Sequence, residues 1–201
     1  TASDVLLGVG LGLPLALNLI DVLSNRPRDG MAGYAKDALI LVEVALVNAG
    51  LNAAFKYAVR RPRPFTYDPD YAAVPASERA AADAGLSFYS QHSSTAFALA
   101  TAYSYLFMLR HPGSRLIAPV WILTEGLAAS TAVLRVFAGK HFWTDVLTGA
   151  AVGVATGLVV PLLHRRLPAG SAAGASAAWA RHIVASPMVL AGGGGLLVSL
   201  E

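Results

Sequence analysis

Cysteine is absent from the 201 residues. That removes disulfide scaffolding, thiolate metal sites and a cysteine nucleophile, while leaving the redox compartment open. Charge is scarce as well: 13% of residues are Asp, Glu, Lys or Arg, about half of the ~25% usual in a soluble domain. The net charge of +3 is too small to imply a polyanionic partner. With 55% apolar residues, the composition argues against intrinsic disorder and against a main role in nucleic-acid binding. The mean hydropathy is +0.55. What is present is one domain's length of Ala-, Leu-, Val- and Gly-rich chain, expected within or against a bilayer.

Five apolar runs stand out, approximately 5–23, 38–59, 93–109, 116–137 and 146–163. Each is about 17–22 residues long, close to the ~20 that cross a hydrocarbon core. All five read as helices, rich in the small residues of packed membrane helices. A soluble bundle needs a polar face on every helix, and polar residues look too sparse for one in the third and fifth runs. The expected fold is all-α: an integral membrane bundle of five spanning helices. Thr1 stands where Met is expected, so a signal peptide or a further N-terminal helix is expected to be missing. Residues 1–167 are expected to form the helical domain and 168–201 an Ala/Gly-rich tail. The four glycines at 192–195 disfavour a sixth helix there, leaving a short strand or a flexible tail.

The connection 60–92 is the longest and carries Pro62, Pro64, Pro69 and Pro75, as a functional loop does. Basic residues divide evenly between the two ends of the bundle. Arg26, Arg28, Lys36, Arg110, Arg115, Arg165 and Arg166 fall at one end. Lys56, Arg60, Arg61, Arg63, Arg79, Arg135 and Lys140 fall at the other. The positive-inside rule therefore does not orient the chain by itself. If several cations of the second end are catalytic, the first end becomes the cytoplasmic one.

Three clusters share that second end. They are Lys56 with Arg63-Pro64 after the second run, Ser87-Phe-Tyr-Ser90-Gln91-His92-Ser93 before the third, and Arg135 with His141 and Asp145 between the fourth and fifth. An up-and-down bundle returns to one face after two crossings, so the clusters can converge. Lys56, Arg63 and Arg135 are fixed cations, and guanidinium forks suit phosphate oxygens. Ser90 stands at a helix start, where free N–H groups favour an anion. His92 and His141 are candidates for general acid and nucleophile. Asp145, one turn after His141, can orient its ring and raise the basicity of the far nitrogen.

These residues resemble the signature of the type 2 phosphatidic acid phosphatase (PAP2) superfamily, which includes class A bacterial acid phosphatases and vanadium haloperoxidases. The pattern Lys-x6-Arg-Pro is met by Lys56, Arg63 and Pro64. In Pro-Ser-Gly-His, Ser90 and His92 match, while Tyr89 and Gln91 replace Pro and Gly. In Ser-Arg-x5-His-x3-Asp, Arg135, His141 and Asp145 match, with Leu134 in place of Ser. The likeness runs from about Ala38 to Leu163.

The resemblance implies a cofactor-free, metal-independent phosphatase of a lipid phosphate or diphosphate. His141 would form a phosphohistidine, Asp145 would orient it and His92 would protonate the leaving group. Lys56, Arg63, Ser90, Gln91 and Arg135 would bind the phosphoryl oxygens. Phosphatidic acid, phosphatidylglycerol phosphate, undecaprenyl diphosphate and lipid A phosphates are all substrates of the right kind. The partners implied are that substrate and membrane lipids, in a bacterial inner membrane with the site facing the periplasm. A soluble or peripheral envelope protein is the other placement, and nothing sets the oligomeric state.

Two other functions fit the same residues: a vanadate-dependent haloperoxidase, or a phosphate-lipid binding protein impaired in catalysis by Gln91. Arg60, Arg61, Arg79 and Lys140 read as side chains reaching lipid headgroups. His111, His164 and His182 read as interfacial or surface residues, and Glu43 and Glu125 as mid-helix carboxylates in need of partners.

Overall fold

The computed structural model describes residues 2–25, 30–70, 72, 74–165, 183–190 and 193–200. The expectations for Arg26, Arg28, Arg166, His182 and the stretch 168–178 lie outside them. By its internal contacts the chain divides into two units, Thr1–His164 and Arg165–Glu201. The regular elements described in the first are all helical. They are α1 (Ala2–Asn25), α2 (Gly30–Val59), a 3₁₀ turn (Pro64–Tyr67), the short α3 (Ala76–Arg79), α4 (Gln91–Arg110), α5 (Ile117–Phe137) and α6 (Trp143–Leu163). In the second unit β1 (Ile183–Leu190) pairs antiparallel with β2 (Gly193–Leu200). The glycine run thus enters a strand, Gly193, Gly194 and Gly195 pairing with Leu190, Val189 and Met188.

The five apolar runs become α1, α2, α4, α5 and α6, and local signals set their ends. α2 stops at Val59 because Arg60 takes a left-handed backbone, φ 48°, just ahead of Arg61-Pro62. α4 begins at Ser90, whose side-chain oxygen accepts from the Ser93 amide as an N-cap. At the start of α6 the Asp145 carboxylate accepts from the Phe142 amide at 3.0 Å.

Four segments are long and apolar enough to cross a membrane: Asp4–Asp21, Gly30–Tyr67, Ile117–Phe137 and Trp143–Leu163. Large side chains such as Leu39, Leu46, Ile122 and Leu147 point outward and exposed, the apolar exterior of a membrane protein. α4 is not among these four, although its run had looked as bare of polar groups as α6. Its polar residues lower its hydropathy, and it packs against α1, α2, α5 and α6, which surround them. Its hydroxyls turn inward. Asn48 of α2 donates to Ser94 and Thr95, Thr101 donates to Glu125 at 2.8 Å, and Ser104 bonds Thr124.

The α4–α6 contact is the most extensive in the bundle, and small residues make it. A Cβ added at Gly149, Gly153 or Gly157 would lie 2.7, 2.4 or 2.4 Å from the carbonyl oxygens of Ser90, Ser94 and Ala98. Backbone therefore meets backbone over two helical turns, the close approach that small residues at every fourth position allow. The apolar core, with Leu41, Val44, Leu99, Tyr103 and Val160, lies beside this seam. At the end remote from the seam's start, Arg110 pairs with Asp37 and donates to Asn18 at 2.6 Å, and His111 contacts Asp21 at 3.0 Å. His111 at the end of α4 is thus also a partner of α1. His164 likewise meets Glu43 at 3.1 Å, so both mid-helix carboxylates have partners.

Candidate active site

The three clusters do converge, because α4 and α6 begin side by side. The Ser90 amide donates to the Asp145 carbonyl at 3.1 Å, joining the two helix starts directly. The loop from Arg61 folds back over them: the Arg63 amide donates to the Ala84 carbonyl at 2.9 Å, and the Ser87 amide to the Arg61 carbonyl at 2.8 Å. Ser87 is thereby set against His141.

His141 follows the turn that ends α5, where Gly139 adopts φ +65°, a conformation glycine takes without strain. The ring is 2% exposed. Its Nδ1 lies 2.9 Å from the Ser87 carbonyl oxygen. A carbonyl can only accept, so Nδ1 carries the hydrogen and Nε2 keeps a lone pair. Asp145 stands behind the ring with Oδ2 at 3.7 Å from Nδ1, a close charge neighbour. Its carboxylate is fully buried and held by the Ser87 hydroxyl, by the Phe142 amide and by Arg61, whose Nη1 is 2.8 Å from Oδ1. Burial pushes the His141 imidazolium below its usual range, and the Arg135 and Arg63 charges push the same way. The Asp145 carboxylate opposes them.

In front of His141 is a cavity of about 330 Å³. Its cations are Lys56, Arg63, Arg135 and Lys140. Gln91 and His92 line it from the start of α4, and Asp4 and Asp83 add two carboxylates. Arg63 and Arg135 are almost wholly buried, at 6% and 5% exposure, so neither reaches out to lipid headgroups. Arg63 pairs with the Asp83 carboxylate and donates from Nε to the Asp83 carbonyl at 3.0 Å. His92 donates from Nε2 to Asp4 Oδ1 at 2.8 Å, and the same oxygen lies 3.5 Å from Arg135 Nη1. Among the described residues no group of three or more His, Cys, Asp or Glu is arranged to hold a metal ion.

Of the residues singled out by pattern, Lys56, Arg63, Gln91, His92, Arg135 and His141 line this cavity. Asp145 does not, standing behind His141. Ser90 does not either: it is fully buried, and its hydroxyl oxygen accepts from the Ser93 amide at 3.4 Å. In the structure it caps α4.

The sequence pattern of the PAP2 superfamily matches residues 37–168. The chain belongs to the PAP2 superfamily. No curated protein matches it. One similar solved structure is described as the "first transmembrane PAP2 type phosphatidylglycerolphosphate phosphatase from Bacillus subtilis". It superimposes with a TM-score of 0.58 at 22% identity, over 81% of this chain and 75% of that one. At that identity the likeness is one of fold.

Several residues of this PAP2 site carried no motif signal. Arg61 had read as a headgroup contact, yet it bonds Asp145 and Thr144 and lies over the Phe142 ring at 4.0 Å. Lys140, grouped with it, lines the cavity and pairs with Glu78. Ser87 matches no position of the family pattern and still supplies two contacts to the His141–Asp145 pair. Asp4 comes from α1, beyond the span of the family match.

Proposed function

We propose that this PAP2 protein is a metal-independent phosphatase acting on a lipid phosphate or diphosphate through a phosphohistidine intermediate. The observation that carries the reading is the state of His141: buried, with Nδ1 committed to the Ser87 carbonyl and Nε2 left as a base beside a cationic cavity. Four cations against two carboxylates leave the cavity lining net positive, which attracts a phosphate dianion. Its place at the end of an apolar bundle suits substrates whose phosphate sits at the bilayer surface.

Nε2 of His141 attacks phosphorus. The N–P bond forms as the P–O bond to the lipid breaks, and the departing oxygen takes a proton from the His92 imidazolium. Water, giving its proton back to His92, then attacks phosphorus and breaks the N–P bond, releasing phosphate. Lys56, Arg63 and Arg135 hold the equatorial oxygens as charge develops, with the Gln91 amide beside them. Preorganised donors of this kind are each worth ~10²–10³ in rate. Asp145, fixed by Ser87, Phe142 and Arg61, stabilises the ring as it gains positive charge.

The remaining elements of the reading are a bacterial inner membrane and a site opening towards the periplasm. The first rests on the small size and minimal architecture, the second on keeping the catalytic cations out of the count of cytoplasmic basic residues. The test is phosphate release by the purified protein from a panel of phosphatidic acid, phosphatidylglycerol phosphate and prenyl diphosphate in mixed micelles. Activity that survives EDTA, is blocked by orthovanadate and disappears in His141→Ala is expected. Activity abolished by EDTA, or retained in His141→Ala, overturns the mechanism.

A further inference from the structure

Asp4 is the one carboxylate in the cavity that meets an imidazole. Its Oδ1 accepts from His92 Nε2 at 2.8 Å and lies 3.5 Å from Arg135 Nη1. The other carboxylate there, Asp83, is engaged by Arg63. Asp4 thus stands between the group that would protonate the leaving oxygen and a cation of the phosphoryl cradle. Its side chain is half exposed, from the first turn of α1, so it borders the route by which a leaving group departs.

We infer that Asp4 is a specificity-determining residue that favours phosphate monoesters over diphosphates by charge repulsion on the leaving-group side; this rests on the phosphatase reading above. The two substrates differ in what departs. A monoester loses an alkoxide oxygen, which takes the His92 proton and leaves as a neutral alcohol. A diphosphate attacked at its terminal phosphorus loses a lipid monophosphate, whose oxygens carry at least one full negative charge. That charge would form next to His92, within a few ångströms of the Asp4 carboxylate. Like charges at such separation, in a site partly closed to water, disfavour one leaving group over the other by a factor of at least about ten. Asp4 also occupies a face of Arg135 that a second phosphate could otherwise use.

The experiment compares Asp4→Asn, which keeps the shape and removes the charge, with Asp4→Glu and the unaltered full chain. The substrates are dodecyl phosphate and dodecyl diphosphate in the same detergent micelles, and initial phosphate release gives kcat/KM for each. The diphosphate-to-monoester ratio is expected to rise about tenfold or more in Asp4→Asn and to stay within about twofold in Asp4→Glu. An unchanged ratio in Asp4→Asn overturns the inference. So does an equal fall on both substrates, which would make Asp4 a support for His92 and nothing more. If the unaltered chain releases phosphate from neither substrate, nor from the lipid panel, the phosphatase reading fails and takes this inference with it. Release from the monoester with a flat ratio defeats the inference alone.

Discussion

The backbone carbonyl of Ser87 lies 2.9 Å from Nδ1 of His141, closer than the Asp145 carboxylate at 3.7 Å. The tautomer of the proposed nucleophile is therefore set by a peptide group, which no substitution removes. Asp145 contributes charge, and through Ser87 it contributes position.

Asp145→Asn should leave the ring in its tautomer while removing the negative charge that steadies it. A fall in kcat of about 10²–10⁴ is expected, by analogy with other carboxylate–histidine pairs. KM should change much less. Steady-state kinetics on a phosphate monoester checks this, and a kcat within threefold of normal would contradict it.

Arg61 anchors the same carboxylate from its other oxygen. Arg61→Gln is expected to lower kcat by about tenfold with KM nearly unchanged, since the guanidinium is absent from the residues lining the cavity. A side chain serving only as a headgroup anchor would leave kcat alone, so the kcat-against-KM split decides between the roles.

The pH profile offers a third check. A nucleophilic imidazole works in its neutral form, and burial with the Arg135 and Arg63 charges lowers the pKa of His141 below the usual ~6.5. Protonation then silences it only at more acid pH. The acid limb of kcat/KM should lie below about pH 6.5, with activity lost as pH falls through that limb. Removing the Asp145 charge takes away a raising influence. The limb of Asp145→Asn should therefore move further to acid even as the plateau drops. Comparison on one substrate cancels that substrate's own titration.

Gly153 offers a stability test with an internal control. A methyl group there would sit 2.4 Å from the Ser94 carbonyl oxygen, whereas one at Gly126 meets nothing within 4 Å. Gly153→Ala is expected to destabilise by about 1–3 kcal/mol and to reduce activity by parting the starts of α4 and α6. Gly126→Ala should be neutral or stabilising by up to about 1 kcal/mol. Thermal unfolding in detergent measures both.

Much of this was legible in the chain. Uninterrupted apolar runs gave five helices, since length and hydropathy are properties of each segment alone. The Lys56–Arg63, His92 and Arg135–His141–Asp145 spacings placed their residues at one end, because helix length fixes which end a residue occupies. Contacts between segments were not legible. Nothing near Asp4 indicates that α1 brings a carboxylate to His92, and Arg61 looks like any arginine at a helix end until Asp145 is seen beside it. Ser90 was rightly put at a helix start, but whether its hydroxyl faces the cavity or the helix's own amides depends on neighbours. The polar residues of α4 showed the same limit: their count is in the sequence, and their burial follows from the four helices around them.

The glycine seam carries one more consequence. With no side chain on α6 at three successive crossings, the gap between the helix that follows the nucleophile and the acid's helix is set by the close approach of α6 to the backbone of α4. That half of the pocket cannot widen for a bulkier headgroup. Room for a different headgroup is therefore set by side chains on the facing wall, among them Arg63, Asp83 and Asp4.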